Sequence, residues 1–90
     1  MTASRTAANG PTLSVYPNPT RDGQLKVERA GSSKALELTV LNALGQAVLY
    51  RSVAVGTQSV ILDLSALPGG VYVLKGTSTE GTSLRRFVRE

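Results

Sequence analysis

Hydrophobic and polar residues alternate along this chain in short runs, and no stretch sustains the i, i+3, i+4, i+7 apolar spacing of a helix. The alternating runs are Leu13–Tyr16, Gln24–Arg29, Leu36–Leu41, Ala47–Val53, Ser59–Leu64, Val71–Gly76 and Ser83–Arg89. Clusters of Gly, Pro, Asn and Asp interrupt them about every ten residues, the signature of short strands joined by turns. In Gln24–Glu28 the pattern sets Leu25 and Val27 inward and polar residues outward. Leu36, Leu38 and Val40 share one face and Glu37 and Thr39 the other, while Val60, Leu62 and Leu64 alternate with Ser59, Ile61 and Asp63. Val71-Tyr72-Val73-Leu74 is apolar on both faces, as expected of a central strand.

The connecting segments have turn chemistry of their own. Asn42-Ala43-Leu44-Gly45 reads as a type I turn whose Gly supplies the left-handed residue of a hairpin bulge. In Pro19–Gly23, Pro fixes one backbone angle and Gly accepts a positive one. Leu64–Gly70 is too short for a lasting helix and predicts one 3₁₀ turn followed by a tight Pro-Gly turn, with Asp63 capping it through Ser65. Ala54–Thr57 and Thr79–Thr82 are expected to close two further hairpins. Seven short strands without helices give an all-β fold, a seven-stranded antiparallel β-sandwich of immunoglobulin-like size, over residues 12–90. Residues 1–11 have no apolar core for a signal peptide and read as a disordered linker or remnant.

Composition narrows the chemistry. With 90 residues and a hydrophobic fraction of 41%, the chain suits one small soluble domain. Its apolar runs fall far short of the roughly 18 residues of a membrane-spanning helix, so no membrane insertion is expected. No His, Cys or Trp is present, which removes nucleophile–His pairs, thiol chemistry, disulfides and structural zinc. The six carboxylates sit at no spacing that forces a pair together. Asn18 and Asp22 fall short of a calcium loop, with Arg21 opposing a cation, and Gly69-Gly70 lacks the Lys and helix of a phosphate loop. No catalytic residue, cofactor or metal is expected.

The net charge of +4 has two readings, an acidic partner such as nucleic acid or a solvated surface slightly richer in Arg than in acid. Seven of the ten basic residues are scattered singly, which favours the second reading, with no nucleic-acid partner. The tail differs: Leu84-Arg85-Arg86-Phe87-Val88-Arg89-Glu90 gathers three Arg around an apolar pair. As a strand it packs either Leu84 and Val88 or Phe87 inward, with Arg stems covering apolar surface. As the last strand it is also expected to lie at a sheet edge and to offer unpaired backbone groups and Arg side chains to a partner.

Four blocks in order carry a family resemblance: Tyr16-Pro17-Asn18-Pro19 with Gly23, Val40–Gln46 with Gly45, Leu62–Leu74 with Gly70-Val71-Tyr72, and the basic closing strand. Together they resemble the C-terminal sorting domain of the type IX secretion system, over Leu13 to Glu90. The resemblance implies an immunoglobulin-like sandwich borne at the C-terminus of proteins exported across the outer membrane of certain Gram-negative bacteria. Such a domain is an address read by translocon components and then removed by a sortase-like peptidase, the cargo being attached to anionic lipopolysaccharide or released. It further implies that Pro17, Asn18, Pro19 and Gly23 form a first motif, Gly70, Val71 and Tyr72 a second, and Arg85, Arg86, Phe87, Val88 and Arg89 the terminal signal. The family more often uses Lys where this chain has Arg, and Glu90 adds an acid after the last basic residue. Met1 then belongs to an excised domain rather than to the start of the cargo.

The alternative is a structural or carbohydrate-binding accessory β-sandwich of a secreted enzyme. Carbohydrate binding calls for exposed aromatics, and only Tyr16, Tyr50, Tyr72 and Phe87 are available. The first and last strands are the expected sheet edges, the Arg residues opposing edge pairing, so the domain is expected to be a monomer with edge-strand dimers as the accessible oligomer.

Overall fold

The computed structural model describes residues 12–30, 34–79 and 81–90. The expected linker over residues 1–11 and Glu80 of the Thr79–Thr82 turn lie outside the described residues. Seven strands are present: β1 (Thr12–Tyr16), β2 (Gln24–Ala30), β3 (Leu36–Leu41), β4 (Ala47–Val53), β5 (Ser59–Asp63), β6 (Gly70–Ser78) and β7 (Gly81–Arg89). They form two antiparallel sheets, β1-β2-β5 and β4-β3-β6-β7, that pack face to face as an immunoglobulin-like sandwich. The fourth strand joins the β3-β6-β7 sheet, so the division is three against four rather than the four against three of a constant immunoglobulin domain. β1 and β7 are both edge strands, and β6 is central.

The period-two pattern explains the core. Leu13, Leu25, Val27, Leu36, Leu38, Val40, Val53, Leu62, Leu64, Tyr72, Leu74 and Phe87 point between the sheets and are buried. Gly76 sits among them because Leu13 crosses over it: a Cβ there would stand 2.6 Å from Leu13 Cδ1. Packing between the sheets thus uses the missing side chain at one position of a central strand.

Local turn chemistry is realised in three ways. Asn42 accepts at its Oδ1 from the amides of Leu44 and Gln46 at 2.9 and 3.0 Å. Gly45 adopts φ 83°, and the β3–β4 register shifts between Val40 and Leu41, which makes the hairpin bulge. At Leu64–Leu67 one i→i+3 bond, from the Leu67 amide to the Leu64 carbonyl (2.9 Å), makes the single turn expected there, and it does not extend into a helix. Ala54–Thr57 does turn, with Gly56 at φ 89° and the Thr57 amide on the Ala54 carbonyl, but it is not a hairpin. It carries the chain from one sheet to the other, because β4 and β5 bury their apolar faces in different layers.

At the end of the sandwich where β4 crosses to β5 lies a buried Arg29, 7% exposed. It follows Leu25 and Val27 on the inward side of β2, and its guanidinium donates to the carbonyls of Thr57 (2.8 Å), Ala54 (3.4 Å) and Lys34. Three carbonyl dipoles, rather than a carboxylate, compensate its charge.

Gly23 and Gly45 separate two effects. Both have a positive φ, 84° and 83°, but a Cβ on Gly45 meets nothing within 4 Å, whereas on Gly23 it would lie 2.8 Å from Ser65 Cα. Gly45→Ala is expected to cost about 1–2 kcal/mol, the left-handed penalty alone. Gly23→Ala should cost clearly more, because backbone must move and the Leu64 amide bond to the Gly23 carbonyl (2.6 Å) is disturbed. Thermal melts of the two variants check this: equal shifts would contradict the close approach.

Candidate functional site

The four sequence blocks meet at one end of the sandwich. The chain leaves β1 through two cis peptide bonds, Tyr16-Pro17 and Asn18-Pro19, and crosses to the outer edge of β7 before returning through Gly23 into β2. There Asn18 Oδ1 accepts from the Val88 amide at 3.0 Å, and its Nδ2 donates to the Arg86 carbonyl at 3.4 Å. Thr20 donates its amide to the Val88 carbonyl (2.8 Å) and accepts from the Glu90 amide (2.9 Å), a parallel bridge opposite Arg89. Thr20 is fully buried, and its hydroxyl donates to the Gln24 carbonyl at 2.8 Å. The expectation of an unpaired backbone edge on β7 is therefore corrected: from Arg86 to Glu90 that edge is paired by the Asn18–Thr20 segment.

On its other side β7 pairs with β6 in a register that sets the two motifs directly opposite each other. Gly70 faces Arg89, Val71 faces Val88, Tyr72 faces Phe87 and Val73 faces Arg86. The Tyr72 and Phe87 rings stack, with centroids 5.8 Å apart and planes at 19°, and both are buried. The Tyr72 hydroxyl donates to the Pro68 carbonyl at 2.5 Å and so ties β6 to the turn before it. Asp63 Oδ1 accepts from the Ser65 amide at 3.0 Å, and the Ser65 side-chain and backbone hydrogen bonds hold its carboxyl below the usual range. The Asn42–Leu44 turn flanks Gly69–Tyr72 across a shallow recess, which brings the Gly45 block to the same end.

The two alternatives for the tail resolve in favour of Phe87. Ser83 and Phe87 are buried, while Leu84 and Arg86 face outward from the four-stranded sheet. Alternation then places Arg85 and Arg89 on the inner side at the sheet edge, where their guanidinium groups reach backbone. Arg85 Nε donates to the Leu13 carbonyl (3.0 Å) and Nη1 to the Leu84 carbonyl (2.9 Å). Arg89 donates to the carbonyls of Leu64 (3.3 Å), Arg21 (3.0 Å) and Glu90. Arg21 in turn pairs with the Glu90 carboxylate at 3.0 Å, both side chains being well exposed. Two of the three tail Arg residues are thus ties between elements, and only Arg86 projects from the molecule.

The other electrostatic cluster starts at Tyr16, beside this end, and runs along the outer face of the three-stranded sheet. The Tyr16 hydrogen bond to the Glu28 carboxylate pushes the phenol up and the carboxyl down. Lys26 is raised, first by the charge of Tyr16 and then by Glu28, from which its Nζ lies 3.4 Å. The groups are solvent-exposed and share no cleft. Tyr16 and Tyr50, the exposed tyrosines, lie on opposite sheets, so they form no common platform for a sugar ring. Among the described residues no three Asp or Glu carboxylates come together as a metal site.

Thr20 and Arg29 were not singled out from sequence. Arg29 had a legible signal, since it continues the inward parity of Leu25 and Val27. Thr20 had none, because its partner strand lies about seventy residues away, as the Asn18–Val88 separation of 70 shows.

The division of roles among the tail residues has a measurable consequence. Asn18→Ala should cost about 1 kcal/mol, and Arg89→Gln about 1–2 kcal/mol through its lost carbonyl bonds. Arg86→Gln should stay within about 0.5 kcal/mol of the parent, as surface changes do. Melting temperatures in which Arg86→Gln falls as far as Arg89→Gln would contradict this assignment.

A search of curated proteins finds no match to this chain. A family model does match, over residues 14–90, and it is described as the secretion system C-terminal sorting domain. With that match spanning nearly the whole described chain and the fold all-β, the chain belongs to the type IX secretion C-terminal sorting domain family.

Proposed function

We propose that this domain is a non-enzymatic address that directs an attached cargo through the type IX system across the outer membrane, for attachment at the cell surface or release. One observation carries the reading: the family's blocks meet at one end of the fold, and what they hold there is the last strand. Asn18 and Thr20 clasp one edge of β7, Gly70-Val71-Tyr72 the other, and Gly23 lets the first segment turn back within reach of Ser65. A signal built this way is a folded surface, so translocon components read the sandwich with its tail in place. Arg86, Val88 and the strand that bears them are the presented part, and Arg85, Phe87 and Arg89 keep it in position.

Removal by a sortase-like peptidase and passage through the periplasm complete the reading, on the strength of family membership alone. In this reading the domain acts as a monomer: the Asn18–Thr20 segment pairs the β7 edge from Arg86 to Glu90, and Arg85 occupies the Leu13 carbonyl of β1, so part of each edge is closed to a second copy. Catalysis is no part of its role, consistent with the absence of His and Cys.

A reporter fused ahead of residues 12–90 tests the reading. Export is expected in a cell carrying the type IX system, and retention in an otherwise identical cell lacking it. Retention in both cells, or equal export from both, would contradict it.

A further inference from the structure

Most of the described cations are engaged within the fold. Arg21 and Lys26 pair with carboxylates, and Arg29, Arg51, Arg85 and Arg89 donate to carbonyls. Lys34 also has a partner. Among the described residues, Lys75 and Arg86 are the cations whose side chains make no hydrogen bond or ion pair. They are neighbours: Lys75 faces Leu84 and Arg86 faces Val73 across the β6–β7 ladder, which makes them a diagonal pair on one face.

That face is the outer surface of the four-stranded sheet, and no layer of the described fold covers it. Leu84 is 53% exposed, Val71 44% and Tyr50 59%, with Val73 and Val88 half-buried between them. Val71 and Val88 are directly paired, so the apolar strip runs continuously beside the two cations. Glu37, the acid on this face among the described residues, lies opposite Thr77 and forms no ion pair with Lys75. The polar row of Glu37 and Thr77 bounds the strip on the side away from the motif end.

Apolar side chains beside unengaged cations form the composition of a protein interface, in which an apolar centre is desolvated and charges at its rim select the partner. Two cations are too few for the counterion-driven binding that a polyanion surface rewards. We propose that this face, centred on Leu84 and Arg86 of β7 with Val71, Val73 and Lys75 of β6, is the surface through which the sorting machinery reads the domain. The partner surface it fits is apolar, with carboxylates placed for Lys75 and Arg86. The proposal rests on the sorting-signal reading and assigns that signal to one face.

The test uses the reporter fusion in type IX cells. The double variant Lys75→Gln with Arg86→Gln should melt within a few degrees of the parent, roughly the range expected of surface changes, and lose export about tenfold or more. Leu84→Thr, which keeps a strand-favouring residue, should lose export similarly. Thr12→Glu with Ile61→Glu alters net charge by the same two units on the opposite face and should export normally. Normal export of the Lys75/Arg86 variant, or equal loss from the opposite-face variant, would overturn the proposal. Failure of the parent fusion itself to be exported would instead overturn the sorting-signal reading. Vesicles of phosphatidylglycerol should bind the purified chain no better than phosphatidylcholine vesicles. Selective binding lost in the Lys75/Arg86 variant would overturn the protein partner in favour of an anionic lipid surface.

Discussion

The structure depends on the seam between the Asn18–Thr20 segment and the outer edge of β7. An edge strand at the end of a chain would ordinarily fray, because half of its backbone groups face water. Here the Val88 amide and carbonyl and the Glu90 amide are all engaged by residues about seventy positions earlier. That seam fixes the register in which Phe87 enters the core and Arg85 and Arg89 reach their carbonyls. Loss of it would release the last strand from the core and from the carbonyls its Arg residues reach.

A buried Thr at the centre of the seam shows how the arrangement satisfies its polar groups. Thr20 has no exposed surface, yet its amide, carbonyl and hydroxyl each have a partner. Arg29 at the opposite end follows the same logic with carbonyls around a guanidinium. Both ends of a small aliphatic core are therefore closed by polar groups that donate to backbone, where a larger domain would use more apolar cover. Gly76 beneath Leu13 and Gly23 against Ser65 supply the close approaches that this compactness needs.

Much of the fold was legible because the signals are local. Period-two alternation located all seven strands, and the Asn42–Gly45 and Asp63–Ser65 turn chemistry was readable from side chains that bond their own neighbourhood. Ala54–Thr57 was misassigned as a hairpin because a turn looks the same whether the chain returns to its own sheet or crosses to the other. The tail's facing was ambiguous because Phe87 and Val88 are adjacent and apolar, one on each parity. The motif residues were recognisable as a family pattern, but their work was not: Asn18 reads as a turn residue until its partner Val88 is known. Long-range pairing of backbone leaves no mark on composition or spacing.

The order of the last strand can be measured directly by amide hydrogen exchange on the intact chain. With the seam closed, the Val88 and Glu90 amides should exchange far more slowly than solvent-exposed amides such as that of Leu44's neighbour Ala43, and Asn18→Ala should release Val88 selectively. Exchange of Val88 and Glu90 at the rate of a frayed terminus in the parent chain would contradict the account.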